Sequence, residues 1–310
     1  MSAVAASRAT REQSRARYPD ETGFVERDGV RVFWERYGSG GPTVLLLPTW
    51  SILHSRHWKF QIPDLARSYQ VVTFDGRGNG RSDRPTNTAA YADTEFVGDA
   101  VAVLDAVGAE RAVIAGLSMG AGYALHMAAD HPDRVLGAVF IGSSVRMSDR
   151  PPGRRHYSWD QRLDTDEGWA KYNRHFWLRD WPAFCEFFMS EIFSEPHSTK
   201  QIEDTVGWAL ETDPETIVTA EDAPYLEPPR DWPADQRGSL AYIQRVRCPA
   251  LVIHGDEDHI SDVSGARRLA EGLGAPLVVV GGGGHAPLAR EPVKVNLLMR
   301  DFIERIGGRA

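Results

Sequence analysis

Ser118 stands in Gly116-Leu-Ser118-Met-Gly120, a G-x-S-x-G pattern, and the chain changes character on either side of it. Ala112 to Gly116 is an apolar run that reads as a buried strand, and Tyr123 to Ala129 is helix-forming, so the serine falls on a tight strand-to-helix turn. Such a turn strains the backbone, and glycines two before and two after the serine let neighbouring chain pass without a clash. The hydroxyl then projects above the sheet at the positive end of the following helix. This placement suits nucleophilic attack on a carbonyl. Gly116-x-x-x-Gly120-x-Gly122 also looks like a phosphate-binding turn, but that turn belongs after a first strand, and no Tyr is followed four residues later by Lys.

A serine hydroxyl is a weak nucleophile at neutral pH and needs a base within hydrogen-bond reach, itself oriented by a third group. His285 follows an apolar strand and the glycines Gly281 to Gly284, a setting in which a loop can carry an imidazole over the sheet edge. His126 and His131, in or beside the helix after Ser118, read as packing or surface residues. The acid belongs at the end of a strand between Ser118 and His285, where Asp256, Glu257 and Asp258 stand together. The residues alone leave all three open. His254-x-Asp256-x-Asp258-His259 also looks like a metal-ligand cluster, but it lacks a second early histidine of the metallo-β-lactamase kind, so no metal is expected.

These residues need a scaffold, and the pattern supplies one. Phe24 to Arg36 can form a hairpin around Asp28-Gly29, while Thr43 to Leu47, Val71 to Asp75 and Val135 to Ile141 read, like Ala112 to Gly116, as strands buried on both faces. Thr94 to Val107 carries Val97, Ala100, Val101, Leu104 and Val107 on one helical face. From about Val145 to Val246 the sequence becomes rich in Trp, Pro and charge with helical periodicity, after which strands resume at Ala250 to His254 and Pro276 to Val280. Helices follow at Val263 to Gly272 and Val293 to Ile306. The expected fold class is α/β, a mostly parallel central sheet flanked by helices. Residues 22–144 and 247–310 form its core, 145–246 a helical cap inserted after the sixth strand, and 1–21 a disordered tail.

Composition narrows the partners. A hydrophobic fraction of 42% with 25% charged residues is that of a globular chain, and no apolar run is long enough to cross a bilayer. With a net charge of −8 and scattered basic residues, nucleic acid is not an expected partner. Cys185 and Cys248 lie far apart with no disulfide framework, and the Arg- and Ala-rich start lacks the apolar stretch of a secretory signal, so a cytoplasmic location is expected. A homodimer is compatible with the sequence, which does not fix oligomeric state.

Phe74-Asp75-Gly-Arg77-Gly78-Asn-Gly80-Arg-Ser82-Asp83, Gly116-x-Ser118-x-Gly120, Gly255-x-x-Asp258 and Gly284-His285-Ala-Pro287 with Glu291-Pro292 follow one another in the order and approximate spacing of the α/β-hydrolase superfamily. The chain resembles that family over nearly all its length outside the tail and the cap. The resemblance implies Asp258, three residues after Gly255, as the acid of a Ser118–Asp258–His285 triad. It also implies the backbone N–H groups of Met119 and Trp50 as oxyanion donors, and a cofactor-independent hydrolysis of an ester, lactone or thioester. Where many members carry His-Gly after the third strand, this chain has Pro48-Thr49-Trp50-Ser51. Members that cleave haloalkanes or epoxides use an aspartate as nucleophile, so Ser118 points away from both. Carbon–carbon bond hydrolases, acyltransferases, a few lyases and non-catalytic receptors share the fold and stand as alternatives.

The substrate is expected to be a small molecule, apolar or aromatic, held between cap and core. Trp169 to Phe188 is dense in aromatics, most of which must bury the cap's own face. Trp50, Met119 and Trp177 are the candidate substrate contacts. His54 and His57, in the loop beyond Trp50, could bind substrate or simply sit at the surface, and the surface is expected.

Overall fold

Strands that are apolar at every position must be covered on both faces, and two such strands, β5 (Ala112–Leu117) and β7 (Ala250–Gly255), are buried throughout. In the computed structural model, which describes residues 15–145, 151, 153–223 and 239–307, they lie within an eight-stranded sheet. The other strands are β1 (Glu21–Arg27), β2 (Val30–Tyr37), β3 (Thr43–Leu46), β4 (Gln70–Phe74), β6 (Val135–Ile141) and β8 (Leu277–Val280). Their order is β1-β2-β4-β3-β5-β6-β7-β8. The β1–β2 and β2–β4 pairs are antiparallel and all others parallel. The hairpin turns at Asp28 and Gly29, both at positive φ (53° and 77°), as a two-residue type I′ turn requires.

Alternate residues of each strand feed opposite layers. Leu45, Val72, Ile114, Phe140 and Val252 pack with the helices Asp93–Ala106, Met119–Asp130 and Val263–Leu273. Val44, Val71, Val113, Val139 and Ile253 face the helix Pro292–Gly307. The helices anticipated from periodicity are present with ends moved by a few residues at most, as between Val263 to Gly272 and Val263–Leu273. There Asp262 Oδ1 accepts the Ser264 N–H at 2.9 Å and Gly274 ends the helix in the left-handed region.

Between β6 and β7 the regular elements of the described chain are helices. Arg174–Arg179 starts where Asn173 accepts the N–H groups of His175 and Phe176, and Trp181–Ile192 starts at Asp180 with Pro182 in its first turn. Thr199–Ala209 and Pro214–Glu221 follow. Their buried aromatics form a third apolar cluster with Trp50, Ile52, Leu53 and Ile260 from the sheet side. Parts of the stretch read as a cap, 146–150, 152 and 224–238, lie outside the described residues.

The stretch read as a disordered tail lies outside the described residues up to 14, but its end is held in place. Arg15 pairs with Glu35 at 2.8 Å, Asp20 accepts the Gly38 N–H at 2.6 Å, and β1 begins at Glu21. The reason is electrostatic: Glu35 is buried on β2, and an unpaired buried carboxylate is costly.

Candidate active site

Ser118 directly follows β5 and has φ 57° and ψ −118°, outside the regions an L-residue prefers. Strain of this kind costs on the order of 1–3 kcal/mol and persists only where the surroundings enforce it. Here the chain is crowded on both sides. A Cβ on Gly116 would come 2.0 Å from the carbonyl oxygen of Gly120, and one on Gly120 would come 2.4 Å from that of Pro48. Ser118 donates its N–H to Ile141 at 3.0 Å and accepts from Ala121 at 3.0 Å, which fixes the turn between β6 and the helix Met119–Asp130. Its Oγ lies 2.9 Å from Ser144 Oγ, whose other neighbour is Ser261 Oγ at 3.4 Å.

The loops after β7 and β8 bring the other two groups to the same sheet edge. His285 Nδ1 is 2.8 Å from Asp258 Oδ2, and both side chains are buried. The carboxylate selects the tautomer with its proton on Nδ1, leaving Nε2 as a base. Among the described residues that buried Nε2 has no hydrogen-bond partner. Asp258 is well supplied: Oδ1 accepts the N–H groups of Ile260 at 2.7 Å and Ser261 at 3.0 Å, and Oδ2 also has His254 Nε2 at 3.2 Å. Burial alone would raise its pKa, but the two histidines beside it hold the carboxyl well below the usual carboxylate range. The His285 loop is anchored from the helical insertion, where Ile192 accepts the His285 N–H at 3.2 Å and Glu195 that of Gly284 at 2.8 Å.

The four residues of the would-be metal cluster diverge. Asp256 caps Gly282 at 2.6 Å, His259 pairs with Glu191 at 3.1 Å, and His254 and Asp258 face each other.

Trp50 sits on the loop after β3. Leu47 continues the sheet by donating to Ala115 at 2.9 Å, and Trp50 accepts the Leu53 N–H at 3.0 Å in a tight turn. Among the described residues no turn or loop hydrogen bond uses the N–H of Trp50 or Met119. The Asp75–Asp83 motif braces this loop from below. Asn79 Nδ2 donates to the carbonyls of Ser51 (3.1 Å) and Leu53 (2.8 Å), and Asp75 Oδ1 accepts the Ser55 N–H at 3.0 Å. Arg77, itself buried, forks onto Asp99 of the helix Asp93–Ala106 at 2.6 and 2.8 Å, so the motif is tied to the core.

Two cavities meet at Ser118. One is apolar, with Ile52, Phe60, Phe188, Met189 and Leu288 in its wall and His285 opening on it. The other is more polar and includes Met119, Ser144, Arg154, Tyr172 and Asp262. Trp50 lines both. Trp177, expected as a substrate contact, lines neither. It is fully buried behind Trp50 (ring centroids 5.6 Å) and against Phe184 (4.6 Å), where its bulk fills the insertion's own core. His54 and His57, expected at the surface, are buried, because the insertion covers their loop and Trp208 packs 5.7 Å from His54. Ser144 was assigned no role in the sequence, and no motif marks it; His254 was weighed only as a metal ligand, whereas the structure sets it 3.2 Å from Asp258, four residues on.

A sequence profile of the family described as alpha/beta hydrolase fold matches residues 42–292. The chain is 28% identical to a 2-hydroxymuconate semialdehyde hydrolase of Pseudomonas sp. over 89% of its own length and 91% of that protein's. It is 44% identical to epoxide hydrolase B of Mycobacterium tuberculosis over 181 residues, 55% of this chain and 45% of that protein. A solved structure of an N-acyl homoserine lactone degrading enzyme superposes with a TM-score of 0.71 at 26% identity, covering 90% of this chain and all of that one. Among the described residues no helix is long and apolar enough to cross a membrane. With the sheet order and the profile match in agreement, the chain belongs to the α/β-hydrolase fold family.

Proposed function

We propose that the protein is a cofactor-independent serine hydrolase of a carboxylic ester, lactone or thioester, working through an acyl-enzyme. The observation that carries this reading is that Ser118, on its strained turn, and His285, with Nδ1 on Asp258 and Nε2 unpartnered, line one cavity. Ser118 Oγ leaves Ser144 and attacks the carbonyl carbon as its proton passes to His285 Nε2. The N–H groups of Trp50 and Met119 receive the developing oxyanion, each contributing about 3 kcal/mol in the transition state. His285 then protonates the leaving group, and water activated by the same Nε2 resolves the acyl-enzyme. Residues 145–246 act as a cap over the core, 22–144 and 247–310, and their aromatic face excludes water from a small apolar or aromatic substrate. The enzyme works in the cytoplasm.

Epoxide opening is disfavoured by the nucleophile's own chemistry. Attack by Ser118 would leave an ether, which water does not resolve, whereas attack by a carboxylate leaves a hydrolysable ester. Carbon–carbon bond hydrolysis is the second reading, favoured by the likeness to the 2-hydroxymuconate semialdehyde hydrolase across most of both chains. Product analysis separates the two, because ester cleavage yields an acid and an alcohol. The Ser118→Ala variant, folded by circular dichroism, is expected to lose turnover by roughly 10⁴-fold or more. Near-wild-type activity in that variant contradicts the proposal.

A further inference from the structure

His57 is fixed by buried structure yet offers a polar atom to nothing. It lies on the short turn Ser55–Trp58 just beyond the Trp50 loop. Asp75 holds the start of that turn through the Ser55 N–H, and Trp58 Nε1 holds its end by donating to the Leu47 carbonyl at 2.8 Å. His57 is 4% exposed, and its Nδ1 is 3.0 Å from the His54 carbonyl oxygen. A carbonyl only accepts, so Nδ1 carries the proton and Nε2 presents a lone pair. Burial pulls the pKa of His57 down to about 4, opposed by the bond to His54, so this acceptor persists at neutral pH. Nε2 is buried with no hydrogen-bond partner among the described residues. His57 forms part of the wall of the apolar cavity that Ser118 and His285 also line.

A buried acceptor without a donor is unfavourable, and it discriminates strongly between ligands that supply a donor and those that do not. We infer that His57 Nε2 is a substrate-recognition site that accepts a hydrogen bond from a hydroxyl or N–H group on the arm of the substrate lodged in the apolar cavity. The inference rests on the proposed hydrolase site and names the substrate class within it: a largely apolar molecule carrying one donor. Among the described residues His285 Nε2 is the other buried, unpartnered acceptor on this wall, and in the proposed mechanism it is committed to the proton of Ser118. The indole N–H of Trp50, also buried and without a hydrogen-bond partner among the described residues, only donates, so it can meet the lone pairs of a ligand hydroxyl but not its proton, which is left to His57 Nε2.

The test uses matched ester pairs of equal chain length that differ by one hydroxyl on the acyl arm or on the alcohol arm. The wild-type enzyme is expected to favour the hydroxylated member of at least one pair by about tenfold in kcat/KM. His57→Phe, which keeps a ring but no acceptor, is expected to bring that ratio to about one, and His57→Gln, which keeps an acceptor, to restore part of it. The same ratio in wild type and His57→Phe, or no preference in wild type, overturns the inference. Calorimetric binding of alkanol and alkanediol pairs to Ser118→Ala protein gives a reading that does not depend on turnover. If no ester is hydrolysed but the diol preference is present and lost on adding His57→Phe, the hydrolase proposal fails and the recognition site stands. If hydrolysis proceeds and neither preference exists, the reverse holds.

Discussion

His254 Nε2 lies 3.2 Å from Asp258 Oδ2, the same carboxylate oxygen that receives His285 Nδ1 at 2.8 Å. Two imidazoles thus share one acceptor atom, and His254 also has the Ser261 carbonyl at 3.0 Å. Against the opposing effect of burial, Asp258 and the Ser261 carbonyl raise the pKa of His254.

His254→Leu is therefore expected to loosen Asp258 and to lower kcat about tenfold to a hundredfold, since a hydrogen bond to a charged group is worth about 1.5–3 kcal/mol. A raised folded-state pKa means that the folded chain binds this proton more tightly than the unfolded chain. The stability it contributes is complete below the unfolded value of about 6.5 and is lost as pH rises through the folded value. The stability difference between wild type and His254→Leu should accordingly be larger at pH 6 than at pH 9, measured by urea unfolding. A pH-independent difference with unchanged kcat contradicts this role.

Asn79 holds the Trp50 loop, the proposed source of one oxyanion donor, through two bonds from one amide nitrogen to the Ser51 and Leu53 carbonyls. In Asn79→Ala those carbonyls lose their donor and the Trp50 N–H is free to drift. Steady-state kinetics should show kcat lower by about tenfold or more with a smaller change in KM, because the donor acts on charge present only in the transition state. A change in KM alone would place the effect on substrate binding instead.

His126 is buried on the helix Met119–Asp130 with its ring 4.2 Å from that of Tyr242, and burial pulls its pKa down to about 4 against the pull of Asp130. Asp93 lies 3.9 Å from its Nδ1. A depressed folded-state pKa contributes stability that is present above the unfolded value of about 6.5 and is lost as pH falls towards the folded value. Thermal midpoints should therefore decline between pH 6.5 and 4, and His126→Phe should flatten part of that decline. An identical pH dependence in the variant counts against this assignment.

Much of the scaffold was legible because its signals are local. Val135 to Ile141 is apolar at nearly every position and emerges as a strand with those same ends, and Asp28-Gly29 is a turn by its residue types alone. Ser118 was legible for a related reason, since the backbone geometry it needs is written in Gly116 and Gly120. What escaped depends on distant segments meeting. His54-Ser-Arg-His57 is polar in sequence, yet its two histidines are buried in the fold, with Trp208 of the helix Thr199–Ala209 packed against His54. Trp177 has the composition of a pocket residue, yet Trp50 stands between it and the cavity space, a packing order that helical periodicity does not encode. Arg15 reads as part of a polar tail until the buried Glu35 gives it a partner.

The central claim is that Ser118 is an activated nucleophile. Reaction of the folded protein with a fluorophosphonate probe, followed by mass-spectrometric mapping, tests it directly. The account predicts a single phosphonylated residue, Ser118, with labelling abolished in Ser118→Ala and strongly slowed in a variant lacking the His285 imidazole. Labelling that maps to another residue, or none on folded wild-type protein, would contradict it.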